Sequence, residues 1–309
     1  MAKDNRDYSF FEGKIVPTDE AKVSVKTHAL QYGTGCFGGI RGYWNSEKEQ
    51  LYLFRLRDHY LRLMNSAKIL MMKPRYSVDE LMDITMDLVR KNQWKQGIYI
   101  RPFLYKNELS LSPRLHNVSD DITIYTLPLD DYLDVNKGLK CKISSWIRLS
   151  DKMIPTRAKA SGGYLNSALA KSEALMEGFD EAIFLDDAGN ISEGSAENIF
   201  IVRDNQLITP PLSASILEGI TRRTIMDIGE NEMGLKVIER DFNRTELYIA
   251  DEVFFCGTGV QVAWIKEIDH RIIGQGVIGK VTKGIQDRYF KIVNGNDSAH
   301  ESWLSPVYL

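Results

Sequence analysis

The chain has 309 residues, with 39 Lys and Arg against 42 Asp and Glu, for a formal net charge of −3. That length can bury a substantial core and commonly divides into two domains. A charge so near balance argues against nucleic acid or an anionic membrane surface as partner. Cys36, Cys141 and Cys256 are too few and too scattered for a disulfide framework or a zinc site, so no metal is expected and a reducing compartment is. No run approaches the ~20 apolar residues of a membrane helix. The first residues, MAKDNRDYSF, carry charges and no apolar core, so no signal peptide is expected and the cytoplasm is the expected location.

In chain order, Tyr8 to Lys26 reads as short strands around a turn at Phe11-Glu12-Gly13-Lys14. Thr27 to Trp44 carries five glycines among aromatics. It fits neither the GxxxxGK[ST] phosphate loop nor a strand-GxGxxG-helix unit, and reads either as a tightly turning strand or as a pocket wall. Arg57 to Met72 has helical spacing at Leu61, Met64, Ala67 and Leu70, with Asp58 as the expected cap. His59 and Arg62, three apart, share a face. Ser77-Val78-Asp79-Glu80 is a capping box opening a second helix. Strands follow at Ile98 to Tyr105 and Asp121 to Leu127, with a polar loop between them. The acidic, turn-rich stretch 128–138 is the expected linker.

The second half opens with a strand, CKISSWI, before the lysine stretch PTRAKASGGYLN, and Leu165 to Glu177 reads as a helix with Leu165, Leu169 and Leu175 near one face. EAIFLD, NIFIV and QLIT read as strands, and LEGITRRTIMDI as a helix entered from Gly219. Ala250 to Ile265 is strand-like, and its Gly257-Thr258-Gly259 suggests a bulge or a close ligand approach. Gly279 to Val293 is the last expected helix, followed by a tail whose Trp303-Leu304 could dock back.

Chemistry gathers around Lys159, which sits among Ala158, Ala160, Ser161, Gly162 and Gly163. Small neighbours leave room for a bulky group, and a desolvated lysine is a candidate Schiff-base former; a solvated surface lysine is the plain alternative. A pyridoxal phosphate site needs a lysine, an acid for the pyridine nitrogen, a donor for the phenolic oxygen and a phosphate cup. Lys159, Glu193 and Tyr164 could supply the first three, and Arg62, Ile220, Thr221 and Thr258 the cup. The start of a helix after Gly219 offers free N–H groups and a positive dipole end. By residue chemistry alone this remains one reading among several.

The order of the motifs narrows it. HALQYGTGCFGGIR, FRLRDHYLRL, YIRP, SSWIR, IPTRAKASGGYLNS, ISEGSAENIF, LEGITR and ADEVFFCGTG span nearly the whole chain. In sequence and order they resemble the branched-chain-amino-acid aminotransferases, the class IV (fold-type IV) family that uses pyridoxal 5'-phosphate. The resemblance implies an α/β (α+β) two-domain enzyme: a small domain over residues 1–127, a linker at 128–138 and a larger, barrel-like domain over 139–309. It implies that Lys159 is the Schiff-base lysine and proton shuttle, that Glu193 partners the ring nitrogen and that Tyr164 meets the phenolic oxygen. Arg62, with Ile220, Thr221 and Thr258, would hold the phosphate.

For substrate, Arg101 with Tyr99 is similar to the family's carboxylate-recognition pair, and Tyr32, Phe37 and Tyr132 would line the pocket for a branched side chain. Gly257-Thr258-Gly259 would face the α-carboxylate. Leu111 would reach into a neighbouring subunit's site, since the family forms homodimers with active sites at the interface, or higher homo-oligomers. The implied reaction is transamination of leucine, isoleucine or valine with 2-oxoglutarate through a lysine-bound cofactor. Two positions depart from the family pattern: Gly38 stands where an acidic residue is common, and Gly259 where a small residue, often alanine, follows Gly-Thr. Both bear on substrate range. A D-amino-acid or (R)-amine aminotransferase of the same fold is the alternative, with an aminodeoxychorismate lyase or a non-catalytic binding protein behind it.

Overall fold

Two β-sheets organise the protein, one in each of two units. The computed structural model describes residues 7–129 and 137–308. The first unit takes Met1–Asp130, Ala158–Gly162 and Ile292–Leu309, and the second takes Asp131–Arg157 and Gly163–Lys291. The five residues around Lys159 and the C-terminal tail therefore group with the N-terminal part of the chain. The expected linker begins inside a strand that runs to Pro128, and residues 130–136, including the pocket candidate Tyr132, lie outside the described residues.

In the first unit the strands are β1 (Tyr8–Phe11), β2 (Lys14–Pro17), β3 (Gly35–Phe37), β4 (Ile40–Asn45), β5 (Gln50–Phe54), β6 (Ile98–Lys106) and β7 (Asp120–Pro128). The tail adds β17 (Leu304–Pro306) beside β5, so the sheet runs β17-β5-β4-β6-β7-β1-β2, with β3 also paired to β6. Period-2 alternation along β6 puts Ile98, Ile100 and Leu104 into the core. There they meet Leu63 of α2 (Leu56–Ile69) and Leu88 of α3 (Val78–Asn92). The capping box opening α3 is present: Ser77 Oγ accepts from Glu80 N–H at 3.3 Å and the Glu80 carboxylate accepts from Ser77 N–H at 2.7 Å.

Two details of α2 differ from expectation. Asp58 is not the cap; Arg55 occupies that position in the left-handed region (φ 49°), and Asp58 pairs with it at 3.1 Å from the first turn. The buried face runs through Leu56, His59, Tyr60, Leu63 and Ala67, so Leu61 of the expected stripe is exposed. A five-residue helix, α1 (His28–Tyr32), opens the glycine-rich region, which the sequence leaves between a tightly turning strand and a pocket wall.

The second unit holds β8 (Leu139–Ile143), α4 (Tyr164–Met176), β9 (Glu181–Leu185), β10 (Ile191–Gly194), β11 (Asn198–Arg203), β12 (Gln206–Thr209), α5 (Ile220–Asp227) and β13 (Lys236–Glu239). It continues with α6 (Arg244–Tyr248), β14 (Glu252–Gly257), β15 (Gln261–Ile268), β16 (Arg271–Ile272) and α7 (Lys280–Val293). The sheet order is β10-β9-β8-β15-β14-β11-β12-β13, with β16 beside β15. Laid flat, β10 and β11 would stand five spacings, about 24 Å, apart. Only residues 195–197 join them, and four Cα steps reach about 14 Å at most. The sheet must curl, which gives the barrel-like core expected. Asp204 and Asn205, both at positive φ (50° and 58°), form the two-residue turn between β11 and β12.

Two further expectations change here. Gly257-Thr258-Gly259 does not interrupt a strand: it belongs to the turn of the β14–β15 hairpin, closed by the Gly257–Gln261 pair. On α4 the buried face is Ser167, Ala170 and Ala174, packed on Phe179, Ala182 and Phe184, while Leu165, Leu169 and Leu175 point to solvent.

Candidate active site

In the first unit, the lysine segment is stitched along β3. Phe37 N–H donates to Lys159 O at 3.1 Å, Cys36 and Ala160 form a β-bridge, and Ser161 Oγ donates to Gly33 O at 2.8 Å. Gly33 ends α1 at φ 65°, and a Cβ there would lie 2.8 Å from the Gly162 Cα, so both backbone and space require glycine. Ser66 of α2 accepts from Lys159 N–H at 3.3 Å and donates to Arg62 O at 3.1 Å. One hydroxyl thus ties the backbone of the phosphate candidate Arg62 to that of Lys159.

The Lys159 Nζ stands 5.4 Å from the Phe37 ring centroid, and the Arg101 guanidinium 4.2 Å from the same ring. Arg101 Nη2 donates to the Tyr99 hydroxyl at 3.0 Å, and its buried Nε has no hydrogen-bond partner among the described residues. A side chain at Gly39 would collide with that tyrosine hydroxyl, and one at Gly38 would sit 2.8 Å from Pro102 Cγ. Gly38, the departure from the family pattern, is therefore buried against β6 and has no room for a carboxylate. Tyr32 Oη donates to Leu111 O at 2.6 Å, which joins α1 to the loop after β6, and both side chains are exposed. The Cys36 thiol is pushed up to about 12 by burial, with Asp120 adding to it, so it stays a neutral thiol beside this site.

In the second unit, Glu193, the start of α5 and the turn after β14 are linked through Asn198 and Leu217. Glu193, on β10, is buried and its carboxylate is held on both oxygens. Oε1 meets Arg148 Nη2 at 2.7 Å, and Oε2 accepts from Asn198 Nδ2 and Leu217 N–H, each at 3.0 Å. Asn198 Nδ2 also donates to Leu217 O at 3.1 Å, which fixes the segment leading into Gly219. Gly219 caps α5 in an extended conformation with no side-chain cap, leaving the N–H groups of Ile220 and Thr221 without the usual hydroxyl or carboxylate partner. Across the sheet Asn198 pairs with Cys256, two residues before Thr258, which brings Gly257, Thr258 and Gly259 to the same end of the barrel. Tyr164 is half-buried at the first position of α4.

These residues fit pyridoxal 5'-phosphate on structural grounds. A carboxylate has about four acceptor positions, three are filled by protein donors, and one remains for a ring N–H. An uncapped helix start with a glycine cap offers bare N–H groups to a phosphate. Arg148, Asn198, Ser66 and the Leu217 amide were not singled out from sequence. Arg148 and Asn198 lie inside the SSWIR and ISEGSAEN stretches, but their partners are remote in the chain. Behind Glu193, Glu197 is also buried; burial first, and then the charge of Glu181, push its carboxyl up to about 8.

The amino-transferase class IV family model matches residues 35–268. A probable branched-chain-amino-acid aminotransferase of Aquifex aeolicus (strain VF5) is 48% identical over 302 residues, covering 98% of this chain and 97% of its own length. Among solved structures, the branched-chain aminotransferase of Thermoproteus uzoniensis with norvaline superposes with a TM-score of 0.94 at 42% identity, covering 98% of this chain and all of that one (100%). The Thermobaculum terrenum branched-chain amino acid aminotransferase in its PLP form gives 0.94 at 37% identity, over 99% of this chain and 100% of that one. The chain belongs to the class IV aminotransferases, in the branched-chain-amino-acid aminotransferase family, whose enzymes work with pyridoxal 5'-phosphate. None of the helices among the described residues is long and apolar enough to cross a membrane.

Proposed function

We propose that the chain transfers the amino group of leucine, isoleucine or valine to 2-oxoglutarate, giving the branched-chain 2-oxo acid and glutamate. Bound pyridoxal 5'-phosphate supplies the electron sink for the pair left when the substrate Cα–H bond breaks. The residues of the chain divide the rest. Lys159 Nζ would hold the aldehyde of the cofactor and, when free, would take the proton from the substrate Cα. Glu193 accepts from the ring nitrogen, and Tyr164 donates to the phenolic oxygen. The N–H groups of Ile220 and Thr221, with Thr258 and Arg62, hold the phosphate.

The observation that carries the substrate reading is Arg101. Its guanidinium is pinned by Tyr99 over Phe37 and keeps a buried N–H unspent. That suits an acceptor whose side chain ends in a carboxylate, while the Phe37 ring suits an apolar chain, so one wall serves glutamate and leucine in turn. Gly257, Thr258 and Gly259 would face the α-carboxylate, and Tyr32 would complete the apolar side. The enzyme works in the cytoplasm as a homodimer, with Leu111 (84% exposed) reaching the partner's site.

The test is a half-reaction panel: the pyridoxal form against L-leucine, L-glutamate, D-alanine and (R)-1-phenylethylamine, followed by the change in its visible absorbance. Conversion by L-leucine and L-glutamate alone is expected; conversion by D-alanine or the (R)-amine in their place would overturn the reading.

A further inference from the structure

Arg148 lies just beyond β8, in the segment after the SSWI stretch. Its backbone N–H donates to Leu185 O at 2.8 Å, fixing the main chain to the end of β9. The side chain lies 5.7 Å from the Phe184 ring centroid and turns inward. Nε donates to Ser215 O at 3.4 Å and Nη2 meets Glu193 Oε1 at 2.7 Å. Side-chain exposure is 14% for Arg148 and 6% for Glu193, so the pair is largely out of water.

A buried ion pair of this kind is a poor stability device, because desolvation offsets much of the attraction, and apolar residues of similar volume do as well or better. What it provides is a fixed orientation. The planar guanidinium is held at two points, one on the Ser215 carbonyl and one on the carboxylate. Asn198 and Leu217 hold the other carboxylate oxygen. Without Arg148, Oε1 would lose its protein donor among the described residues and the carboxylate could rotate about the bond to its chain.

We propose that Arg148 is a positioning residue for the cofactor: it acts through Glu193, holding the carboxylate in place as the anionic acceptor for the pyridine N–H. The proposal rests on the assignment of Glu193 to the ring nitrogen. It gives Arg148 no contact with substrate and no part in proton transfer at Cα.

The holoenzyme, R148Q, R148K and E193Q are compared by two readouts independent of turnover. One is the rate of cofactor release into a trap; the other is the pH titration of the visible band of the bound cofactor. R148Q is expected to release cofactor about tenfold faster, the loss of roughly one charge-assisted hydrogen bond, and to shift the titration by about one pH unit. R148K keeps the charge but not the two-point hold, and is expected to fall between wild type and R148Q. If R148Q does not fold, R148K carries the test alone: at least about threefold faster release, under half the free energy of a tenfold change, supports the proposal. Wild-type release and titration in the Arg148 variants, with E193Q altered, would make Arg148 merely structural and overturn the proposal. Wild-type values in E193Q as well would remove the assignment of Glu193, and the proposal with it.

Discussion

Arg101 spends one N–H on Tyr99 and leaves another, on Nε, buried and bare. A buried donor without an acceptor is costly, and that cost is recovered when a ligand oxygen arrives. Arg101→Ala should therefore weaken glutamate and 2-oxoglutarate by about 10- to 100-fold in kcat/KM, from the ~1.5–3 kcal/mol of a charge-assisted hydrogen bond. Leucine, which has no side-chain carboxylate, should lose far less. Steady-state kinetics with each substrate check this, and equal losses on all of them would remove the assigned role. Glu197 makes a second residue-level prediction. Its folded value, about 8, lies above the ordinary 4.5, so the stability tied to its neutral form is complete below pH ~4.5 and is lost as pH rises through about 8. Glu181, paired with Lys171 at 2.5 Å, and Glu193, paired with Arg148, are the charges around it. Glu197→Gln fixes the neutral form. Its unfolding free energy should rise relative to wild type between pH 5 and pH 9, by an amount on the order of a few kcal/mol at the alkaline end. Parallel stability curves would show that Glu197 does not titrate in that window.

At the scale of elements, local signals were read well and packing signals less so. The Ser77–Glu80 box and the Gly219 helix start depend on residues within one turn, and both stand as expected. Periodicity puts Leu165, Leu169 and Leu175 of α4 near one face, yet the face that packs on β9 is made by alanines. Hydrophobic spacing shows that a helix has a face; it does not show which neighbour the face meets. The same limit applies to the candidate site. Small neighbours make Lys159 a candidate without singling it out, which takes the order of the motifs along the chain, and the carboxylate cradle of Glu193 needs Arg148 and Leu217, 45 positions before it and 24 after it. Gly219→Ala tests that cradle through one element. The cap residue sits at φ −70°, so an alanine there meets no backbone strain, but its Cβ would collide with Asn198 Oδ1. Asn198 would have to move and release both Glu193 and Leu217 O. Cofactor affinity, measured by absorbance titration, should fall by about 5- to 100-fold, with unchanged far-ultraviolet circular dichroism. Unaltered affinity would mean that the helix start and Glu193 are not coupled.

For the whole molecule, the leucines turned away from the core of α4 take on a meaning of their own. Leu165 is 68% exposed, and Trp146 and Ile147 are 45% and 48% exposed. They are neighbours: Asn166 Nδ2 donates to Ile147 O at 3.0 Å, and Asn166 Oδ1 accepts from Leu149 N–H at 3.4 Å, which fastens the start of α4 to the segment after β8. Single exposed apolar residues are ordinary, but several on two segments fastened together, a tryptophan among them, have the composition of an interface core. The proposed homodimer gives this group a partner of the same kind. In a two-fold interface each residue is buried twice, so one substitution acts at two places. Burying a leucine contributes about 1.5–3 kcal/mol, and Leu165→Asp would remove that gain on both sides and add a carboxylate to each. The expected loss, roughly 3–6 kcal/mol before the cost of the charges, corresponds to about a hundredfold or greater rise in the dimer dissociation constant. Sedimentation velocity over a concentration series should then show monomer where the unaltered chain is dimeric. Because Arg148 lies one residue beyond Ile147, the same experiment should be read with the visible spectrum. A monomer that keeps its bound-cofactor titration would separate the interface from the cradle, whereas a monomer that loses it would show that the segment 144–149 serves both.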